Sequence, residues 1–397
     1  MYPKISDFIN DILGTQIVLP VQSFGFFVAL AFLAAFAVIN KEYVRFTVNG
    51  IFGKKEQEVR ISGPMPIWEI PLNFLIYFVV GYKLGLFIED WAKYGESPQL
   101  LFSPISEGSI LWGMIAAAIG GGYHFYIYQQ KAKEPEKFEK RIVSTVVEES
   151  GTMFTMAFIF GIAGAKLFHN IEHWDEFLLH PMESLTSFDG LTFYGGLLCA
   201  GTAILIFSWK KGYNILGIAD STLPAVLVAY GIGRMGCHIA GDGDWGIVNP
   251  HANPGLPNWL WAYTYPHNVL SEGEPIAGCV GKYCNQLIPA VYPTPLYECL
   301  ICIGLFGILW AIRKKVPYLG QITGIYLMFN GLERFLIEKI RVNVEISFLG
   351  MQVTQAEIIS AVLFLMGIIV LGLATFVWKK PTAVSSEQAG NEAITAI

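Results

Sequence analysis

Nine apolar runs, each close to the roughly 20 residues that a helix needs to cross bilayer hydrocarbon, leave this chain few ways to fold. They lie near residues 19–39, 70–87, 110–128, 151–168, 191–209, 215–236, 296–312, 320–337 and 356–377. In hydrocarbon every backbone polar group must be satisfied internally, so runs of this length become helices. Composition agrees: 53% of residues are hydrophobic and 15% charged, with a mean hydropathy of +0.48, which excludes an ordinary soluble domain. The expected fold is an all-α integral membrane protein, a polytopic bundle of about nine transmembrane helices with a small cytoplasmic hairpin and an outer-face loop domain.

Lys and Arg set the orientation, because cytoplasmic loops are enriched in them. They gather in 41–60, in 131–141, at Lys210 and Lys211, in 313–315, and at Lys379 and Lys380. The alternate connections, 89–107, 172–189 and 242–292, are acid-rich. Nine crossings then put the N-terminus outside and the C-terminus in the cytoplasm. The first 17 residues carry Asp7 and Asp11 without a positively charged n-region, so the first span is expected to be retained rather than cleaved.

Polar–apolar alternation over 41–63, around Asn49-Gly50 and Gly53-Lys54-Lys55, predicts a cytoplasmic hairpin. Cys199, Cys237, Cys299 and Cys302 fall in or beside spans, whereas Cys279 and Cys284 lie in the outside loop. There they can pair in an oxidising compartment or remain free. The polar, aperiodic tail 379–397 is expected to be disordered.

The most chemically informative segment is Gly233-Arg234-Met235-Gly236-Cys237-His238-Ile239-Ala240-Gly241-Asp242-Gly243-Asp244-Trp245-Gly246. It places Arg, His and two Asp at the end of a long apolar run, where charge is expensive unless it has a function. Before it, 219–232 holds a single acid, Asp220.

These residues resemble the prolipoprotein diacylglyceryl transferase family, whose signature runs Gly-Arg-x-Gly-Asn-Phe-x-Asn-x-Glu and ends in Trp-Gly. Gly233, Arg234, Gly236, Gly241, Trp245 and Gly246 match it. Further pieces follow in the family's order: Gly164-Ala165-Lys166-Leu167, 191–197 (LTFYGGL), 292–298 (YPTPLYE) and 331–338 (GLERFLIE). The resemblance covers the first span (1–40 with its N-terminal segment) and a transferase-like membrane core, 149–378. Against it, 41–148 reads as an insertion with the hairpin and two extra spans. The chain departs from the family at Tyr194, which stands for a His, and at Cys237-His238, which stand for Asn-Phe. Phe24 stands for a Tyr, Lys166 for an Arg and Tyr292 for a His, while the family's acid is represented by Asp242 or Asp244.

The resemblance implies transfer of a diacylglyceryl group from phosphatidylglycerol to the lipobox cysteine thiol of a lipoprotein precursor, at the outer face of the inner membrane. Such an alkyl transfer needs a base near the thiol and cations on the phosphate leaving group. Arg234 and Arg334 are the expected phosphate ligands, since a guanidinium stays charged in a low-dielectric site and offers a planar fork of donors. His238, four residues after Arg234, is a candidate base, or a side chain that bonds a backbone carbonyl. Tyr194 is a candidate for orienting a phosphate or glycerol hydroxyl. Asp242 and Asp244, in a Gly-rich turn, are placed to polarise His238 or fix Arg234. Gly246 completes the signature, and Glu298 and Glu338 organise the arginines.

Two other functions compete. His169, Glu172 and His173 fit the His-x-x-Glu-His pattern of some zinc peptidases, although a structural role for the two His is the simpler reading. A lipid or solute transporter would also bury polar residues, but no inverted repeat is evident and the charges cluster toward one membrane face. Small residues at Gly195-Gly196, Gly161 with Ala165, and 120–122 are places where helices approach closely or leave a groove. With no phosphate loop, dinucleotide fingerprint, metal set or basic surface, no cofactor and no nucleic-acid partner are expected. The expected partners are phosphatidylglycerol, the lipoprotein precursor and membrane lipids.

Overall fold

The computed structural model describes residues 1–383 except 16, 18, 20, 64, 97–107, 180, 187–191, 344, 349 and 350. Most of the tail expected to be disordered, 384–397, lies outside the described residues. In chain order the principal elements are α1 (Ile5–Leu13), α2 (Ser23–Val48), β1 (Lys54–Ser62), α3 (Glu69–Glu89), α4 (Ile110–Lys131), β2 (Lys137–Ser144), α5 (Ser150–Glu172), α6 (Phe193–Lys210), α7 (Ile215–Ala240), β3 (Glu274–Pro275), β4 (Asn285–Gln286), α8 (Thr294–Ile312), α9 (Gln321–Glu338), β5 (Glu345–Phe348), β6 (Met351–Thr354) and α10 (Gln355–Trp378).

All nine expected spans fall on helices, and the protein is an all-α polytopic membrane protein. Seven of them, α2, α3, α4, α5, α7, α8 and α10, are long and apolar enough to cross a membrane. In α6 the apolar stretch is shorter, Gly195–Lys210. Helix α9 has the length but carries Glu333, Arg334 and Glu338 within its 18 residues. Those charges are the price of a polar site inside the bundle.

The chain forms two compact units. One comprises residues 1–17, 21–53 and 207–397, and the other 18–20 and 54–206. In the first, α7 packs against α2, α8 and α9, and α9 packs against α8 and α10. A larger share of α7 is buried than of any other candidate span, as suits the central helix of this unit.

The end of this unit where α7 begins is locked by two buried acids. Asp220 accepts the Gly320 and Thr323 backbone N–H groups at 2.7 and 2.8 Å and the Thr323 hydroxyl at 2.6 Å. It thereby satisfies N-terminal donors of α9 that the helix itself cannot. Glu42 receives Arg45 at 2.5 Å and Arg313 at 2.9 Å, and Arg313 lies over the Trp310 ring at 3.4 Å. Breaking such a buried group would leave uncompensated charge, so the pairing specifies which helix ends meet.

At the other end, the connection from α7 to α8 folds over the C-terminus of α7. Strands β3 and β4 pair antiparallel, and Cys279 and Cys284 form a disulfide, the paired alternative for the two loop cysteines. The fully buried Asn268 ties this loop together, donating to the carbonyls of Tyr265, Glu272 and Asn285.

The second unit corrects the expected local hairpin at 41–63. Residues 41–48 continue α2, and β1 pairs antiparallel with β2, from Lys54 opposite Ser144 to Ser62 opposite Lys137. Alternation marked a strand but carried no information on its partner, which lies beyond two helices. In the same unit α5 and α6 cross closely: a Cβ at Gly164 would fall 2.4 Å from Cys199 Cβ, and one at Gly195 would fall 2.6 Å from the Gly164 carbonyl oxygen. Gly164 and Gly195 therefore serve close backbone approach.

Candidate active site

Helices α7, α8 and α9 each bring charge to the end of the first unit that lies under the loop. Arg234 sits six residues before the end of α7 and is buried. Its Nε meets Glu298 of α8, and its Nη1 meets Asp244 in the turn after α7. Glu298, 0% exposed, also accepts from Arg334 of α9 at 3.2 Å and from Arg341 at 3.4 Å. The Tyr230 hydroxyl lies 3.4 Å away on the same oxygen. One carboxylate thus faces three guanidiniums.

The outer members close the network. Arg334 pairs with Glu338, one turn later on α9, at 3.1 Å. Glu338 in turn accepts from Asn343 at 2.5 Å and from the Thr354 hydroxyl at 2.7 Å. Arg341 Nη2 binds the second oxygen of Asp244. Three arginines (Arg234, Arg334, Arg341) and three acids (Asp244, Glu298, Glu338) therefore form one charge-balanced, largely buried cluster.

Electrostatics separate the two aspartates of the turn. Burial opposes the charged form of Asp244, but the Arg234 and Arg341 guanidiniums outweigh it and hold its carboxyl below the usual range. Burial, and next the neighbouring Asp244 charge, push Asp242 above the usual range. Its Oδ1 has no hydrogen-bond partner among the described residues.

Each expected site residue can now be placed. Arg234, Arg334, Asp244, Glu298 and Glu338 come together. Gly246 supports them through its backbone: its N–H donates to the Tyr292 carbonyl at 2.9 Å and it forms an isolated bridge with Arg341. A Cβ there would lie 2.3 Å from the Ile340 carbonyl oxygen, so only glycine lets the two segments close and Arg341 reach Asp244.

Of the two expected roles, Asp244 takes the fixing of Arg234 rather than the polarisation of His238. The imidazole Nδ1 lies 3.1 Å from the Tyr265 hydroxyl, and the ring packs against Tyr263 and Tyr265. Asp244 is drawn instead to two permanent cations, a stronger pull than a neutral imidazole offers. Tyr194 is the second residue of α6, in the second unit, and its side chain lies outside the described residues.

Two groups escaped the sequence reading. Arg341 follows α9 by three residues, and its only signal was a further Arg seven positions after Arg334. Glu333 lay in plain view beside Arg334, but its burial at 3% exposure could not be read from the motif.

The zinc-peptidase alternative is not supported. His173 Nδ1 lies 3.2 Å from the His169 carbonyl oxygen, and Glu172 accepts the Thr192 hydroxyl at 2.8 Å. Among the described residues the one group of three potential metal ligands is Cys237, Asp242 and Asp244, mutually within 4.8 Å. Asp244 there already serves two arginines, whose charge repels a cation.

In sequence the chain is similar to known proteins of one family. A family model described as prolipoprotein diacylglyceryl transferase matches residues 99–373. Three relatives carry the name phosphatidylglycerol–prolipoprotein diacylglyceryl transferase. That of Vibrio parahaemolyticus is 29% identical over 68% of this chain and 86% of its own length. That of Corynebacterium glutamicum is 28% identical over 60% and 73%, and that of Streptococcus agalactiae is 27% identical over 66% and 91%.

Proposed function

Since this chain belongs to the prolipoprotein diacylglyceryl transferase family, we propose that it transfers the diacylglyceryl group of phosphatidylglycerol to the lipobox cysteine thiol of a lipoprotein precursor. The observation that carries this reading is the three-arginine, three-acid cluster at one end of the bundle. The reaction forms a carbon–sulfur bond and breaks a carbon–oxygen bond of the glycerol. Glycerol phosphate departs with the electron pair, and the thiol proton passes to a base.

Arg234 and Arg334 hold the phosphate, with Arg341 as a third cation, and stabilise the negative charge that grows on the leaving oxygen. Before substrate arrives, Asp244, Glu298 and Glu338 hold the guanidiniums apart and aligned, so little reorganisation is needed at the reacting centre. The incoming phosphate exchanges with carboxylates as partner of the same cations. Asp242 is the better placed base: one of its oxygens has no hydrogen-bond partner among the described residues, and its raised affinity for a proton suits it to accept one. His238, engaged with Tyr265, shapes the loop that covers the site.

The distribution of Lys and Arg supports placing the cluster at the outer face of the inner membrane, with the N-terminus outside and the C-terminus in the cytoplasm. A two-part assay tests the reading: purified protein in phosphatidylglycerol micelles is given a lipobox peptide, beside Arg234→Ala and Arg334→Ala. Wild type should add the mass of a diacylglyceryl group to the peptide while neither variant does. Folded wild type that yields no product would overturn it.

A further inference from the structure

The buried polar atoms in and beside the cluster that have no hydrogen-bond partner among the described residues include Nη2 of Arg234 and both carboxyl oxygens of Glu333. Such groups are rare in native interiors and call for an explanation. Glu333 is 3% exposed. Glu298, Arg334, Arg234 and Arg341 are its electrostatic neighbours. Its neighbours also include Cys302 and Tyr326, members of the apolar core formed with Leu227, Leu309 and Ile322. Glu333 therefore marks the boundary between the charged cluster and the hydrocarbon-like interior.

Charge balance decides its form. The three arginines are already matched by Asp244, Glu298 and Glu338, so an ionised Glu333 would add an unpaired buried charge, and the neutral acid is the cheaper species. A neutral carboxylic acid has one O–H to donate. Position decides what it can meet. Cys302 lies four residues, about one turn, beyond Glu298 on α8, away from the loop end of that helix. In a phospholipid the ester carbonyls lie on the hydrocarbon side of the phosphate. The order from arginines to Glu333 to apolar core thus matches the order from phosphate to ester carbonyl to acyl chain.

We propose that Glu333 is a substrate-binding group: as a neutral acid it donates its O–H to an ester carbonyl of the diacylglyceryl donor, while the phosphate takes Nη2 of Arg234. An ester carbonyl accepts but cannot donate, so the acid serves it where a carboxylate would repel it. This rests on the reading of phosphatidylglycerol as donor lipid.

The test compares diester phosphatidylglycerol with its diether analogue, which keeps the phosphate and chains but lacks the carbonyls, in the peptide-transfer assay with separate kcat and KM. Wild type should prefer the diester by about tenfold or more in kcat/KM, mainly through KM, because the ether leaves a buried donor unpaired. Glu333→Gln keeps an N–H donor and should keep the preference. Glu333→Leu should lose it, turning over the two lipids alike. Equal use of both lipids by wild type overturns the proposal without any variant, and so does a folded Glu333→Leu that still prefers the diester. Absence of product from wild type with either lipid would instead sink the donor assignment on which the proposal stands.

Discussion

Asp244 and Arg341 stand 97 residues apart in the chain and are joined by an ion pair, while the other oxygen of Asp244 holds Arg234. This carboxylate links the turn after α7 to the segment after α9. It fixes the spacing of two guanidiniums that no local sequence relationship would bring together.

Arg341→Ala should lower transfer at least tenfold in a folded protein, since it removes one of three cations around the leaving phosphate. Arg341→Lys should recover only part of this loss, because an ammonium cannot span Asp244 and Glu298 at once as the fork does. The check is kcat/KM for the donor lipid beside a thermal midpoint. Wild-type rates in the alanine variant would remove Arg341 from the site.

Glu298→Gln should destabilise the protein by about 3–5 kcal/mol, the usual cost of breaking a buried ion pair from one side. Here three guanidiniums lose a common partner. Denaturation in a fixed detergent measures it, and an unchanged midpoint would mean that the arginines find other anions.

Gly246→Ala should act on the same pair through the backbone. The added methyl meets the Ile340 carbonyl oxygen at 2.3 Å, so the bridge to Arg341 must open, at about 1–3 kcal/mol. Loss of activity close to that of Arg341→Ala is the expected result. A fully active variant would show that the two segments need not touch.

Acid and alkali should separate the two aspartates. Asp244 is depressed in the folded state, so its stabilisation is present above the ordinary carboxylate pKa and is lost as pH falls through the lowered folded value. Asp244→Asn should therefore be less stable than wild type at pH 7, with the gap closing in strong acid. Asp242 is raised, so its contribution is present below the ordinary carboxylate pKa and lost as pH rises through the folded value. Asp242→Asn should be no less stable than wild type at pH 7. As the base, ionised Asp242 also sets an acid limb of activity above the usual carboxylate range. Asp242→Asn should abolish turnover while His238→Ala retains most of it, as a pH–rate profile would read; the reverse pattern would make His238 the base.

Much of the architecture was legible because it depends on local composition. Apolar runs of membrane length must become helices whatever surrounds them, and the nine runs did. The pairing of Cys279 with Cys284 fell within five residues and was open to local reading as one alternative. Arg234, Arg334, Glu298 and Glu338 could be singled out because charge at the ends of apolar runs is costly and therefore purposeful. Partner choice was not legible in the same way. The alternation in 54–62 marked a strand equally compatible with a neighbour at 41 or at 144, and only the closure of α3 and α4 into a pair brings β2 alongside.

The sequence by itself determined that this protein lives in a membrane, where its helices lie, and which charges must be accounted for, since each follows from the transfer cost of short segments. Only the tertiary structure decided that Asp220 caps a helix 100 residues away, that Asp244 serves Arg234 and Arg341 rather than His238, and that Glu333 is buried with no hydrogen-bond partner among the described residues. Those outcomes depend on which helix faces meet. In a low-dielectric interior a charge is stabilised by whatever lies within a few ångströms, and sequence distance carries no weight in that choice.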